Sequence, residues 1–215
     1  MSLKNESKYL LALHSSSGKL GVGMLDLTDM NQTIHTSLFE TGKELSNNLF
    51  NCVQEVLPYK SWKKIVRLAV ATGPGGFTGT RLTISMARTL SQQLKCPLDG
   101  TSSFALMAHR LAKKHNLTEK NNLFWVTQFA RRRGIIAGQY KIIRSNQEGL
   151  KIEIMELKKP HLTTNTFFNE PTFSADEDVQ QDIIKLIETS NTYHQNNTKS
   201  SWSNILPIYP TSPVE

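Results

Sequence analysis

Four glycines and one proline stand between an apolar run and a helical pattern, in the segment Ala69-Val-Ala-Thr-Gly-Pro-Gly-Gly-Phe-Thr-Gly-Thr-Arg81. Gly73, Gly75, Gly76 and Gly79 allow positive φ and let another backbone or a ligand come close. Amides ahead of a helix N-terminus are unpaired and, with the helix dipole, attract anions. The segment is therefore either a tight strand-to-helix turn that binds nothing or a cradle for phosphate. It is neither of two common phosphate motifs. A Walker loop would need Gly-Lys-Ser/Thr where Thr78 and Gly79 stand, and a dinucleotide fingerprint would need glycine at Thr78.

The elements around this turn follow from hydrophobic periodicity. Tyr9 to Leu13 reads as a buried strand, and Gly18–Leu27 and Thr33–Phe39 as two more, with Asp29-Met-Asn31 as turn residues between them. Lys43–Leu57 is helical, with Leu45, Leu49, Cys52, Val53 and Val56 on one face and Phe50 widening it. Ile65–Ala71 is a strand. A helix is expected from Thr80 to Leu94, with Leu82, Met86, Ala87, Leu90 and Leu94 as its core stripe. Ile84 then projects elsewhere, beside Arg81, Arg88 and Ser91, either as a lone surface residue or as an interface element, since arginine is enriched at interfaces.

Beyond this point come a short strand at Pro97–Asp99 and a helix at Ser103–Lys114, capped by Ser102 or Ser103. A hairpin of Asn122–Gln128 and Gly134–Ile143 surrounds Arg131, Arg132 and Arg133. A weak strand at Leu150–Leu157, a helix at Asp178–Thr189 and a polar loop over 190–204 complete the chain.

Bulk properties narrow the classes. With 38% hydrophobic and 20% charged residues the composition is that of a globular protein. No apolar run reaches the roughly 18 residues of a membrane span, and Met1–Lys8 has no secretory apolar region. Cys52 and Cys96 read as reduced thiols, so a cytoplasmic location is expected. The net charge of +7 suits a nucleic acid nearby. The arginine run at 131–133 is either a solvated hairpin tip or a phosphate contact.

Catalytic constellations are sparse. No His-Glu-x-x-His or His-x-x-x-His occurs among the six histidines, and His109 and His115 are wrongly spaced for one helix face, so a metallopeptidase is not expected. Cys52 lies on an apolar stripe, and Cys96 precedes a proline without an adjacent base, so neither reads as an activated thiolate.

Gly73-Pro-Gly-Gly-Phe-Thr-Gly-Thr-Arg81 resembles the Gly-Pro-Gly-Ser-Phe-Thr-Gly-Leu-Arg signature of the bacterial TsaB (YeaZ) family, differing at Gly76 and Thr80. Tyr9-Leu-Leu-Ala-Leu-His-Ser-Ser-Ser17 resembles that family's opening strand and Asp-Thr-Ser turn. Pro97-Leu-Asp-Gly-Thr-Ser-Ser-Phe104 resembles its Val-Ser-Ser-Leu turn, Ala130-Arg-Arg-Arg-Gly134 its Asp-Ala-Arg hairpin, and Pro207-Ile-Tyr209 its Pro-x-Tyr. The likeness is tight from 9 to 112, loose to 143 and nearly absent from 144 to 204.

The resemblance implies an α/β fold of the actin, sugar-kinase and Hsp70 superfamily (ribonuclease H-like half-domains, mixed sheets with helices). It implies an N-terminal domain over 1–102 and a reduced C-terminal domain over 103–215. It implies a non-catalytic subunit in making threonylcarbamoyladenosine (t6A) at position 37 of tRNAs that read codons beginning with A. The catalytic partner would be TsaD, and the ATPase TsaE would regulate the pair. Docking would run through the first two helices, with Leu45, Leu49, Val53, Ile84 and Arg88 as candidate contacts, and the same surface could pair two copies in isolation. His14, Ser15, Ser16, Gly73, Gly75, Gly76, Thr78 and Gly79 would form a vestigial nucleotide loop. His14 stands where the superfamily carries a magnesium-organising aspartate, and a neutral imidazole is a poor magnesium ligand. No intrinsic cofactor is expected, apart from an adenine nucleotide at the junction with partners. Tip arginines Arg131, Arg132 and Arg133 would meet RNA phosphates, although Phe129 replaces the family's aspartate there.

Two rival readings compete with the scaffold. One is a small ATPase or kinase on the same half-fold, for which Asp26 and Asp99 are the available carboxylates. The other is a stand-alone RNA-binding protein using Arg131 to Arg133.

Overall fold

The computed structural model describes residues 6–15, 18–131, 133–145, 152–165 and 167–211. Ser16 and Arg132 lie outside the described residues. Two compact units result: 1–101 with 179–207, and 102–178 with 208–215. The contiguous halves expected from the sequence are thus interrupted, because the segment from Val179 returns to the first unit.

In the first unit the order is β3-β2-β1-β4-β5, with β1 (Tyr9–His14), β2 (Lys19–Asp26), β3 (Ile34–Glu40), β4 (Ile65–Ala71) and β5 (Leu98–Thr101). The first three strands form an antiparallel meander, and β4 joins β1 in parallel, followed by β5. Strand alternation gives the sheet two apolar faces. On one, Leu11, Leu13, Val22 and Leu68 form a core with α1 (Leu45–Val56) and α2 (Phe77–Leu94). The helix α4 (Val179–Gln195) packs against β1 to β4. It reaches β2 closely at Gly21 and Gly23, where an added β-carbon would meet Val179 and Ile187. Residues 190–195, expected as loop, belong to this helix.

In the second unit the order is β8-β7-β6-β9, with β6 (Leu123–Ala130), β7 (Gly134–Ser145), β8 (Ile152–Thr163) and β9 (Thr172–Ser174). The short β9 has no counterpart among the strands the sequence pattern predicts. Helix α3 (Ser103–Lys114) contributes Phe104, Met107 and Leu111 to a core with Phe124, Val126 and Tyr140. Ser102 is its cap, accepting the Ala105 N–H at 3.0 Å. The Ser102 and Tyr140 hydroxyls both donate to Glu156 Oε1, at 2.6 and 3.1 Å.

Candidate functional site

β4 ends at Ala71, and α2 begins at Phe77, one turn earlier than the sequence suggested. Thr78 and Gly79 therefore sit in the helix's first turn, while Gly73, at φ 91°, Gly75 and Gly76 make the turn itself. Gly76 is the cap and offers no side-chain acceptor to the first amides. A β-carbon at Gly79 would stand 2.5 Å from Ser15 Oγ, so a side chain there would have to turn that hydroxyl aside. Thr80 Oγ1 donates to the Ser15 carbonyl at 3.1 Å, so the end of β1 is tied to α2.

His14 and Ser15, adjacent in sequence, face opposite ways. Ser15 approaches α2, whereas His14 pairs with Gly21 and shares the face that α4 covers. The expectation of His14 beside the glycines as one phosphate loop is corrected by this alternation. Its imidazole is fully buried, and among the described residues neither ring nitrogen has a hydrogen-bond partner. Burial pushes its pKa down to about 4, which keeps it neutral.

Of the five expected docking residues, Leu45, Leu49, Val53 and Ile84 are core, and Ile84 is only 2% exposed. They hold the helices to their own sheet and are not available to a partner. Only Arg88 reaches the surface in part, with its guanidinium over the Trp202 ring and a hydrogen bond to the Ile205 carbonyl. The helix is rotated relative to the hydrophobicity expectation for α2. Its buried side is Thr80, Thr83, Ile84, Ala87 and Ser91, while Leu82, Met86, Leu90 and Leu94 are half-buried at the margin. Thr83 and Ser91 donate their hydroxyls to nearby backbone carbonyls, so burial leaves them satisfied. On α1, next to α2, Phe50 is 50% exposed with its ring against Trp62.

At the hairpin tip Arg131 is exposed, and Phe129 is 77% exposed. Arg133 is half-buried, and its N–H donates to the Ala130 carbonyl.

Neither carboxylate of the ATPase reading is placed to organise magnesium at the glycine turn. Asp26 pairs with Tyr9, at the opposite end of β1 from His14, and accepts from Thr28. Asp99 is buried and accepts from Arg67 Nε at 2.7 Å and Nη2 at 2.9 Å, and from Ser190 and Ser200. Among the described residues no three His, Cys, Asp or Glu side chains come together to hold a metal ion. Burial raises the Cys96 thiol to about 11, away from thiolate reactivity. No helix among the described residues is long and apolar enough to cross a membrane.

Residues 39–156 match the family described as TsaD, tRNA N6-adenosine threonylcarbamoyltransferase, which is more than half of the 215 residues. The chain belongs to this family. Within it, this is a divergent member of the TsaB (YeaZ) type. The tRNA threonylcarbamoyladenosine biosynthesis protein TsaB of Buchnera aphidicola subsp. Acyrthosiphon pisum is 25% identical over 162 residues, covering 67% of this chain and 72% of its own length. TsaB of Buchnera aphidicola subsp. Baizongia pistaciae is 24% identical, covering 78% and 85%. The structure of YeaZ from Pseudomonas aeruginosa superposes with a TM-score of 0.63 at 18% identity, covering 94% of this chain and 99% of that one. A second structure, an uncharacterized protein similar to peptidase YeaZ from the same organism, gives 0.68 at 17%, covering 95% and 100%. The α/β class of mixed sheets with helices expected from the sequence is the fold observed, and it is the fold of these YeaZ structures.

Proposed function

We propose that this chain is a non-catalytic subunit for t6A formation at position 37 of tRNAs reading codons that begin with A, acting by binding and ordering a TsaD-type catalytic partner. The observation that carries the reading is the apolar surface left on the first two helices of a TsaB-type member. Phe50 on α1 and Leu82, Met86 and Leu90 on α2 remain partly exposed after the core is complete. Exposed apolar area of this kind marks a protein contact. The partner surface is therefore drawn from the margin of α2 and not from Ile84.

In this reading the glycine turn is a structural joint between β4 and α2, tied to the end of β1 through Ser15, and no intrinsic cofactor is needed. An adenine nucleotide would bind, if at all, at the junction with TsaD, and TsaE would act on the assembled pair. The same helices would pair two copies when the partner is absent. The location is cytoplasmic, where the tRNA substrate is. The rival ATPase or kinase reading requires a carboxylate by the turn, and Asp26 and Asp99 are committed elsewhere.

The test is depletion of the chain from its own cell, with tRNA nucleosides quantified by mass spectrometry and co-purifying proteins identified. The expected result is loss of t6A and recovery of a TsaD-type protein with the tagged chain. Unchanged t6A would sink the reading, as would ATP turnover by the pure chain alone.

A further inference from the structure

From Val56 to Leu98 the chain has seven lysines and arginines and no aspartate or glutamate. The fold turns part of that bias into a line. Arg81, Ser85, Arg88, Gln92 and Lys95 recur at steps of four and three, which on a helix confines them to an arc of about 80° over a length of about 21 Å. All five are exposed or half-exposed, and around the helix they lie on the far side from the core residues Thr83 and Ala87 and apart from the apolar margin of Leu82 and Met86. Lys95 caps the helix C-terminus. Two of the cations rest on rings: the Arg81 guanidinium lies 4.8 Å from the Phe77 ring centroid and that of Arg88 5.5 Å from Trp202. Among the described residues none of the three cations is in an ion pair.

We propose that this stripe of α2, Arg81–Ser85–Arg88–Gln92–Lys95, is a contact surface for the phosphate backbone of RNA. Charge complementarity selects a polyanion. The composition selects nucleic acid over an acidic protein: the centre of a protein interface is apolar, and between these cations stand only Ser85 and Gln92, hydrogen-bond donors suited to phosphate and sugar oxygens. Guanidiniums resting over aromatic rings offer a fork to phosphate with less freedom left to lose. The contact is separate from the apolar margin of the same helix, so protein docking and RNA contact occupy different sides. The identity of the RNA as tRNA rests on the proposed function.

The experiment is fluorescence anisotropy of the full-length chain with an unmodified tRNA transcript whose anticodon loop carries A37, over a series of salt concentrations. The variant is Arg81→Gln/Lys95→Gln, which keeps Arg88 and its hydrogen bond. The control is Lys43→Gln/Lys113→Gln, two exposed lysines elsewhere that lower the net charge equally. The stripe variant is expected to bind about 10-fold more weakly at moderate salt, with the log–log salt slope reduced by about 1.5, while the control stays near the wild type. Equal loss in both variants would assign binding to net charge and overturn the proposal. So would absence of wild-type binding, or displacement of the transcript by poly-glutamate as readily as by unlabelled tRNA. Melting curves of both variants report folding. This assay does not read t6A, so failure of the stripe in a chain that still supports t6A removes this inference alone.

Discussion

Val179 of α4 lies over Gly21 of β2, so close that a β-carbon on the glycine would meet Val179 Cγ1 at 2.7 Å. Valine is stiff at χ1 and cannot turn away at little cost. The contact fixes the approach of α4 to the sheet and keeps His14, the cross-strand neighbour of Gly21, out of water.

Gly21→Val should therefore destabilise the protein by about 1–3 kcal/mol, despite the better strand propensity of valine. The Val179→Ala change should recover part of that loss in the double variant, as expected for two residues in contact. Urea unfolding of the four proteins measures both effects. Additive losses would mean that the helix does not lie on Gly21.

Acid should expose His14. Its folded pKa is depressed to about 4 from the ordinary 6.5, so the neutral ring is the form that the fold holds. The associated stability is fully present above 6.5 and is lost as pH falls from 6.5 towards 4. The shift of 6.5 − 4 = 2.5 corresponds to a loss on the order of 3 kcal/mol below that window. His14→Gln, which cannot gain a proton there, should flatten the dependence between pH 6.5 and 4. An unchanged slope in denaturant unfolding would place the acid sensitivity on other groups.

The apolar margin of the first two helices can be separated from the core beneath it. Phe50→Asp and Met86→Asp should abolish capture of a TsaD-type partner and leave the melting temperature within a few degrees, because both side chains are partly in water. Ile84→Asp should instead unfold the chain, at a cost of about 4 kcal/mol or more for an unpaired carboxylate in the core. Calorimetry with the partner, alongside thermal melts, distinguishes the two. A Met86→Asp protein that binds normally would move docking away from this face.

Much of the first unit can be read from local pattern. Alternation and turn residues give the meander, and the glycines mark where β4 turns into α2, since Gly73 takes a positive φ there. The same residues carry the family likeness. The site was less legible. Hydrophobicity alone ranks Leu82 and Met86 inward and Ile84 outward on α2, whereas the buried side combines Ile84 and Ala87 with the small hydroxyl residues Thr80, Thr83 and Ser91.

What the sequence determined by itself is the order of strands and helices and the place of the glycine turn, because these depend on backbone conformation and on periodicities of two and 3.6 residues. Tertiary structure alone decided which side of α2 is buried, that Val179–Gln195 returns to the first sheet, and that His14 turns away from Ser15. Those outcomes depend on whether the Ser15 carbonyl, 65 residues away, accepts from Thr80 and whether Gly21 and Gly23 leave room for a helix. Such partners are far apart along the chain, and no local pattern contains them.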